Sequence, residues 1–437
     1  MRALVPTILA TVVLAACGSH STIPEVRQYG ANPELPRPNE ELIPTIDIAP
    51  AVHWADGATP RPANGLAVQA FATGLDHPRW VRVLPNGDVL VAEANAPERP
   101  DEGKGIKAKF TGKAMKEAGA ATPTANRITL LRDADGDGVA ETKGVFAHGL
   151  NSPFGMELVG DTLYVANTDG IVKFDYADGA TSVAGTGTHV ADLPGGERNH
   201  HWTKNVIASR DGSRLYATVG SNSNAAENGM EEEADRAAIL EVDPATGATR
   251  VFASGLRNPN GMAWNPETGA LWTVVNERDE IGSDLVPDYL TSVKEGAFYG
   301  WPYSYYGQHV DARVEPQRPE FVAKAIPPDY ALGSHTASLG LAFYTGELMA
   351  DRFGHGAIIG QHGSWNRKPP AGYRVIFVPF AHGMPGGEPQ VVLDGFLDAA
   401  GNAQGRPVGV AVAKDGAILV ADDVGNTVWR VAPPSGT

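Results

Sequence analysis

The sequence predicts an all-β protein, a six-bladed β-propeller with long inserted loops. Two observations lead to this prediction. Gly accounts for 51 and Pro for 33 of the 437 residues, a surplus typical of turn-rich β-architecture. One pattern also recurs along the chain: a small or Pro-containing turn, an apolar strand, a tight turn and a second apolar strand.

The repeated pattern occurs six times. Its first copy reads HPRWVRVLPNGDVLVAE, and most copies place Asn-Gly, Asp-Gly or Thr-Gly between two apolar runs, which predicts a β-hairpin. The copies occupy residues 77–93, 152–175, 200–221, 258–277, 338–367 and 406–432. A single hairpin cannot bury both of its faces, so six hairpins extended by further strands predict blades stacked around an axis. A β-sandwich pair or another number of blades is the alternative.

The copies are unevenly spaced, which requires long loops between some strands. The largest insertions are residues 94–125 and 278–335. Loops on a rigid scaffold commonly carry binding and catalytic residues. We therefore expect these loops to help build the functional site of the propeller domain, residues 66–437.

The N-terminus has the form of a secretory signal. It begins MRALVPTILATVVLAACGSH, in which one Arg precedes an apolar run too short to span a membrane. The run LAAC resembles a bacterial lipobox, whose cysteine is lipidated. We expect a lipoprotein signal over residues 1–17 and an exported, periplasmic protein anchored in the cell envelope at Cys17. An ordinary signal peptide or a short buried helix is the alternative. Residues 18–65, rich in Pro, are predicted to form a tether and a strap.

The charge distribution points to a small anionic ligand. The formal net charge is −16 and no basic run stands out, which argues against nucleic acid as a partner. The segments that enter the innermost strands should face the central channel. Five of the six contain His or Arg; the segments begin at His77, Asn151, His200, Arg257, His335 and Arg406. A cationic funnel within an acidic protein would attract a small anion.

Two longer motifs resemble a known family. GLRNPNGMAW (255–264) and EGAFYGWPYSYYG (295–307) are similar to the soluble aldose and glucose dehydrogenases that depend on pyrroloquinoline quinone (PQQ). The run from Gly255 to Trp429 resembles the sorbosone dehydrogenase branch most. The resemblance covers residues 65–432, and it implies a six-bladed propeller that binds PQQ and Ca²⁺ and oxidises sugars.

The resemblance implies a catalytic role for two residues. His201 matches the family's general base by its spacing to VIASRDGSRLYATVG, and a buried structural histidine or a metal ligand is the alternative. Its neighbour His200 has no counterpart and is interpreted as a supporting or surface residue. Arg257 matches an arginine beside the quinone carbonyls, and Asn258 matches the asparagine next to it. A guanidinium there would stabilise the charge that develops on the quinone oxygen.

The resemblance also implies residues that hold the carboxylates of PQQ. Arg406 matches one of two family arginines, whose planar fork pairs with a carboxylate. The second arginine is replaced here by Val408. Arg367 in QHGSWNR is the candidate for the missing charge, and Trp365 is the candidate for a wall of the ring site. Ordinary packing is the alternative for both.

Three further positions follow from the resemblance. Asp422 matches an aspartate that contacts the cofactor, and His335 is the candidate for the place of a blade-five lysine. Ser221 stands where the family has an aspartate that orients the base. We therefore expect His201 to be oriented by Asn222 or another loop group.

Two calcium sites are suggested. The resemblance implies that backbone carbonyls of Asn276, Glu277 and Arg278 bind the Ca²⁺ that contacts PQQ, and carbonyl oxygens are suitable ligands. Separately, DADGDGVAE begins like a helix-loop-helix calcium loop at Asp133, Asp135 and Asp137. The glutamate expected at the twelfth position is absent, since Gly144 stands there. A hairpin turn with solvated carboxylates is the alternative.

The sequence thus favours an exported PQQ-dependent dehydrogenase. It would oxidise an aldose or a sugar aldehyde such as sorbosone by hydride transfer to the quinone, and electrons would leave to a periplasmic cytochrome or quinone. No G-x-G-x-x-G motif opens a βαβ unit, which disfavours an NAD enzyme. A calcium-dependent lactonase-type hydrolase and a non-catalytic binding propeller of the cell envelope are the alternatives.

Overall fold

Six antiparallel sheets surround a common axis in the computed structural model, which describes residues 19–40, 45–97, 118–119 and 122–434. The protein is a six-bladed β-propeller, so the predicted fold class is confirmed. Each of the six sequence repeats forms the two innermost strands of one blade. Cys17 and the predicted signal segment lie outside the described residues.

The strands follow the predicted order along the chain. The N-terminal segment holds β1 (Tyr29–Gly30), β2 (Arg61–Pro62) and β3 (Ala67–Ala72). Blade 1 contains β4 (Pro78–Val83), β5 (Val89–Glu93), β6 (Arg127–Arg132) and β7 (Thr142–His148). Blade 2 contains β8 (Met156–Val159), β9 (Thr162–Ala166), β10 (Gly170–Asp175) and β11 (Thr188–Asp192). Blade 3 contains β12 (Val206–Ala208), β13 (Leu215–Val219), β14 (Ala238–Val242) and β15 (Thr249–Ser254).

The second half of the ring carries more additions. Blade 4 contains β16 (Asn258–Trp264), β17 (Leu271–Asn276), β18 (Pro287–Ser292) and β21 (Tyr330–Ser334), with the hairpin β19 (Ser304–Tyr305) and β20 (His309–Val310) and helix α1 (Pro319–Val322) inserted before β21. Blade 5 contains β22 (Ser338–Phe343), β23 (Gly356–Gln361), β24 (Arg374–Ala381) and β26 (Gln390–Asp394), with helix α2 (Ala350–Phe353) and the short β25 (Met384–Pro385). Blade 6 contains β27 (Pro407–Val412), β28 (Ile418–Asp422) and β29 (Thr427–Ala432). Two 3₁₀ turns lie at Glu25–Gln28 and Met230–Glu233.

Blade 6 closes the ring by pairing the two ends of the domain. Its outermost strand is β3, which runs antiparallel to β29 with Ala67 opposite Ala432. β1 and β2 extend the outer edges of blades 4 and 5. This pairing fastens the N-terminal part of the domain to its C-terminal strand.

The sheets stack face to face, and their second strands form the core. Every residue of β5, β13, β23 and β28 is buried, because both faces of these strands are covered by neighbouring blades. Glycines allow the innermost strands to approach closely. A Cβ at Gly340 would lie 2.2 Å from the carbonyl oxygen of Val408, and one at Gly155 would lie 2.4 Å from the amide nitrogen of Val206. These contacts explain why four of the six repeats place a glycine at or near the start of the innermost strand.

The predicted strap crosses one end of the propeller. Thr22 N donates to Asp284 Oδ2 (2.6 Å), Asp47 N donates to the carbonyl of Trp365 (2.8 Å), and the indole of Trp54 donates to Asp422 (2.7 Å). The strap thereby covers parts of blades 4, 5 and 6. Among the described residues, no helix is both long and apolar enough to span a bilayer.

Candidate functional site

The turns that enter the innermost strands gather at one end of the axis. Backbone and side-chain contacts connect them from blade to blade. Ser221 N donates to the carbonyl of Arg257 (2.7 Å), and a Cβ at Gly220 would lie within 2.5 Å of both Asn258 Oδ1 and His201 Cβ. The predicted residues of blades 3 and 4 therefore share one site, under the end of the propeller that the strap crosses.

The imidazole of His201 has a defined orientation. Its Nδ1 lies 2.7 Å from the carbonyl oxygen of Ser221 and 3.1 Å from the hydroxyl of the same residue. A carbonyl can only accept a hydrogen bond, so Nδ1 carries the proton and Nε2 carries the lone pair. Asn222 was expected to orient the imidazole of His201. In the structure its side-chain oxygen instead accepts a hydrogen bond from the backbone N–H of His200 (3.0 Å). A backbone carbonyl thus orients the imidazole of His201.

A buried carboxyl group supports this loop. Glu233 accepts hydrogen bonds from Asn222 N (2.7 Å) and from the hydroxyl of Ser223. Burial raises the pKa of Glu233 to about 7, although both hydrogen bonds act in the opposite direction. The sequence analysis missed this residue, because it lies in an acidic run that resembles an exposed turn. Its position behind Ser221 makes it a support for the orientation of His201.

Arg257 belongs to a buried ionic cluster. Its Nη2 donates to Asp279 Oδ2 (2.9 Å), and Asp279 Oδ1 lies 3.3 Å from Nδ1 of His335. The other ring nitrogen of His335 lies 3.0 Å from the carbonyl oxygen of Gly282. Both nitrogens therefore face acceptors, which favours the imidazolium. Burial acts to lower the pKa of His335, but Asp279 reverses the effect and raises it.

Asp279 should make stability depend on pH in the acid range. Burial alone would raise its pKa, but Arg257 and His335 lower it from 3.8 to about 2. A carboxylate whose pKa is lower in the folded than in the unfolded state stabilises the fold at pH values above its unfolded-state pKa. This stabilisation is lost as the pH falls toward the folded-state pKa. Asp279→Asn removes the titration. The difference in free energy of unfolding between wild type and variant should narrow by about 1 kcal/mol from pH 5 to pH 3.

Urea titrations at the two pH values measure this difference. Asp394→Asn is the control, because its ion pair with Arg61 is exposed. A difference between wild type and Asp279→Asn that stays constant across this range would mean that Asp279 does not titrate as its partners imply.

The opposite wall of the site is centred on Asp423. Its Oδ2 contacts Nη1 of Arg79, Nε2 of His362 (2.8 Å) and Nε2 of His77 (3.5 Å). Burial acts to raise the pKa of Asp423, but these cationic neighbours hold it well below its usual range. Burial lowers the pKa of His77 to about 4. The sequence pointed to His77 and Arg79 as channel residues, whereas His362 and Asp423 were not singled out.

Asp422 accepts four hydrogen bonds within the protein, and its predicted cofactor contact stays a prediction. Its Oδ1 accepts the backbone N–H groups of Arg406 (2.7 Å) and Gly425 (2.8 Å). Its Oδ2 accepts the indole N–H groups of Trp54 (2.7 Å) and Trp429 (2.9 Å). The two adjacent aspartates have separate surroundings, so Asp423 faces the axial histidines while Asp422 fastens the strap to blade 6.

Arg406 lies on the same side of the axis as Asp423. Its Nη2 donates to the carbonyl of Ala49 (2.9 Å) in the strap, and its guanidinium lies 5.1 Å from the ring centre of Tyr373. Its Nε is buried without a hydrogen-bond partner. A buried donor without a partner is costly, so this geometry suits a residue that awaits a ligand.

Arg367 contacts the strap, and its Nε is buried without a hydrogen-bond partner, so its predicted role stays a prediction. Its guanidinium donates to the carbonyl of Pro369 (2.8 Å) and the hydroxyl of Ser21 (2.8 Å), and it lies 3.7 Å from Asp284. The guanidinium of Arg367 is therefore bonded to the strap and lies near a carboxylate of the blade-four loop. Trp365 is half-buried, and its carbonyl accepts from the strap, so its predicted role stays a prediction.

The predicted calcium ligands are oxygen-rich but already contact a cation. Arg257 Nη1 donates to the carbonyl of Glu277 (2.6 Å) and lies 3.5 Å from that of Asn276. The carbonyl and side-chain oxygens of Asn224 also accept from this guanidinium. Arg278 is fully buried and donates to two carbonyls of the inserted hairpin region. The oxygen atoms of Asn224, Asn276 and Glu277 are suitable ligands for a hard cation such as Ca²⁺. Arg257 already donates hydrogen bonds to the same oxygen atoms.

The acidic loop in blade 1 gathers four carboxylates. Ligand oxygens of Asp133, Asp135, Asp137 and Glu141 lie within 4.8 Å of one another, so Glu141 joins the predicted group in place of a residue at position 144. The same carboxylates also cap the turn, since Asp133 accepts from Gly136 N (2.7 Å). Calcium binding at this loop stays a prediction.

The fold and the site together define a six-bladed propeller with buried arginines, histidines and carboxylates at one end of its axis. The chain belongs to the TrAA12-like family, whose sequence model matches residues 60–293 and 315–433. Among curated relatives, an uncharacterised protein of Borreliella burgdorferi is 27% identical over 292 residues, covering 64% of this chain and 76% of that protein. A PQQ-dependent pyranose dehydrogenase of Coprinopsis cinerea is 25% identical over 444 residues.

The second relative is much longer than the matched region. The match covers 86% of this chain and 54% of the fungal enzyme, so the chain spans about half of its length. The holo PQQ domain of a Coprinopsis cinerea pyranose dehydrogenase has a similar structure, with a TM-score of 0.67 and 21% identity. It covers 88% of this chain and 100% of that domain. At this identity the similarity establishes the shared fold.

Proposed function

We propose that the protein is a PQQ-dependent sugar dehydrogenase. The observation that carries the proposal is the axial site, where an oriented imidazole, His201, lies beside Arg257 and faces a cationic wall around Asp423 and Arg406. Membership of the TrAA12-like family supports it, since a curated relative is named a PQQ-dependent pyranose dehydrogenase. A sugar aldehyde such as sorbosone, or an aldose, is the proposed substrate.

The residues present suit a flat, acidic quinone. Arg406 has an unpartnered buried Nε, and Asn258 has an unpartnered buried Oδ1 at the opposite wall. Guanidinium groups pair well with carboxylates, and an amide beside Arg257 can orient a polar ring edge. When bound, the quinone would supply the acceptor for a hydride, which carries two electrons and one proton.

The chain's own contribution is proton removal and charge stabilisation. His201 Nε2 would take the proton of the substrate hydroxyl, while the carbonyl of Ser221 holds Nδ1–H. The resulting imidazolium donates from both nitrogens, so the Ser221 carbonyl stabilises it. Arg257 provides a positive charge at the place where negative charge develops, and Asp279 fixes the position of its guanidinium.

Calcium is proposed at the carbonyls of Asn276, Glu277 and Arg278. Oxygen atoms of Asn224 lie around the same guanidinium and would complement these ligands. A divalent ion there would act as a Lewis acid on an adjacent carbonyl oxygen. In this arrangement Arg257 and the ion would both contact the carbonyl oxygens of Asn276 and Glu277.

Reconstitution tests the function. Purified apoprotein should gain a quinone absorption spectrum with PQQ and Ca²⁺, and should then reduce a dye with aldoses or sugar aldehydes. The control omits PQQ. Absence of any quinone spectrum would contradict the proposal. PQQ binding without turnover on a broad sugar panel would favour the binding propeller instead.

The site gives less support to a hydrolase. A calcium-dependent lactonase needs several carboxylates free to bind the metal on the axis. Among the described residues of the site, Asp279 and Asp423 are each paired with cationic side chains, and Asp422 is bonded to tryptophans. An ester or lactone panel with Ca²⁺ alone would reveal such activity.

We propose that the protein is exported and lipid-anchored at Cys17. Ser19 is bonded to Ser283, whose hydroxyl donates to the carbonyl of Ser19 (2.6 Å). A periplasmic cytochrome or a quinone is the proposed electron acceptor. Cys17→Ala should move the protein from the membrane fraction to the soluble fraction.

A further inference from the structure

Three side chains that can carry positive charge surround a single carboxylate on the axis. Arg79 and His77 come from blade 1, His362 follows the second strand of blade 5, and Asp423 follows the second strand of blade 6. Each of the three contacts Asp423 Oδ2. The group, here called the Asp423 cluster, is built from three blades and was not predicted as a ligand site.

The cluster and its neighbour Arg406 have excess positive charge. Arg79 and Arg406 are 8% and 4% exposed, and both are permanently charged. Among the described residues, Asp423 is the carboxylate that contacts Arg79, and Arg406 has no carboxylate contact at all. Of the two buried guanidinium groups, one therefore contacts a carboxylate and the other does not. A buried net charge is costly unless a counter-ion compensates for it.

Unpartnered polar atoms show where a counter-ion would bind. Nε of Arg79 and Nε of Arg406 are both buried without a hydrogen-bond partner, and so is Oδ1 of Asp423. The guanidinium of Arg79 lies flat against an aromatic wall, 5.8 Å from the ring centre of Phe154 and 5.6 Å from that of Trp202. A carboxylate next to a ring N–H matches this pattern, because the two guanidinium groups donate and Asp423 accepts.

Arg79 lies close to position 408, where this chain has valine in place of the second arginine of blade 6. Val408 packs in the same apolar cluster as Phe154 and Trp202, whose rings Arg79 covers. Its backbone lies beside blade 1, since a Cβ at Gly409 would be 2.8 Å from the carbonyl of Arg79. The charge absent at position 408 is therefore supplied from the adjacent blade, while Arg367 is held by the strap.

We propose that Arg79, positioned by Asp423, is the second guanidinium that binds a ring carboxylate of the cofactor, opposite Arg406. The proposal rests on PQQ as the cofactor. His362 and His77 complete the wall and hold Asp423 in place. The Asp423 cluster would therefore set the orientation of the cofactor, with one carboxylate end of the ring system directed toward blades 1 and 6.

Cofactor affinity tests this role without any measurement of turnover. PQQ is titrated into apoprotein and binding is followed by quenching of tryptophan fluorescence, with Trp202 as a nearby reporter. Arg79→Gln should raise the Kd about 10- to 100-fold, since a hydrogen bond to a charged group contributes about 1.5–3 kcal/mol. Arg61→Gln, at an exposed ion pair with Asp394, is the control and should change the Kd less than about twofold, whereas Arg367→Gln tests the competing candidate.

The trimethyl ester of PQQ separates carboxylate binding from general damage to the site. Wild type should prefer PQQ to the ester, and Arg79→Gln should lose most of that preference. Arg79→Lys should be intermediate, because it keeps the charge but loses the fork. A wild type that does not bind PQQ would refute the proposed function. The role of Arg79 would be overturned if wild type binds PQQ and Arg79→Gln keeps the full preference for PQQ over the ester. It would also be overturned if Arg367→Gln, instead of Arg79→Gln, loses this preference.

Discussion

Replacement of His201 by alanine should lower the turnover of the reconstituted enzyme by about 10³-fold, within the range known for loss of a general base. The physical reason is the fixed tautomer. The carbonyl of Ser221 holds the proton on Nδ1, so Nε2 is the atom that can take the substrate proton. Alanine removes this base, and water in the site would replace it poorly.

Dye reduction under saturating sugar measures the effect, and a PQQ titration measures cofactor binding separately. PQQ affinity should change less than about threefold, because the cationic wall is retained. His189→Ala is the control, since His189 is exposed on the outermost strand of blade 2. Turnover within about twofold of wild type in His201→Ala would remove His201 from the mechanism.

Replacement of Asp422 by alanine should reduce the free energy of unfolding by about 3–5 kcal/mol. Asp422 is fully buried and accepts four hydrogen bonds, two from backbone N–H groups and two from indoles. Alanine would leave all four donors without this acceptor. The strap would also lose its attachment to blade 6 through Trp54, so Arg406 would become less well positioned.

Urea unfolding of the apoprotein, followed by tryptophan fluorescence, measures the loss. Asp161→Ala, in an exposed hairpin turn of blade 2, is the control and should change stability by less than about 0.5 kcal/mol. Asp422→Asn should be intermediate, because its amide can accept only through one oxygen. A loss below about 1 kcal/mol in Asp422→Ala would mean that Trp54 and Trp429 find other acceptors.

The fold could be predicted because its information is local and repeated. Each repeat contains its own hairpin turn and its own apolar runs, and six equivalent hairpins have few ways to bury both faces. Four of the six innermost strands have a glycine at or near their start, which permits the close approach at the axis seen at Gly340. His201 and Arg257 lie next to these repeated features, which is why they could be assigned.

Other parts of the site depended on contacts between distant segments. Arg367 lies in a motif that suggests a ligand site, yet Ser21, 346 residues away, takes one of its donors. Asp422 and Asp423 are adjacent in sequence, and only the packing of Trp54 and Trp429 shows which of them is bonded within the protein. Glu233 resembled an exposed acidic residue until the fold placed it behind the loop of Ser221.

The sequence alone determined the all-β class, the six repeats and the axial position of the histidine and arginine turns, because short-range periodicity and turn chemistry encode them. The tertiary structure decided which charged groups compensate one another. Whether Arg79, Arg367 or Arg406 faces a ligand depends on the carboxylates and carbonyls that surround each guanidinium. Those partners come from other blades and from the strap, and electrostatic pairing is set by distance in space rather than along the chain.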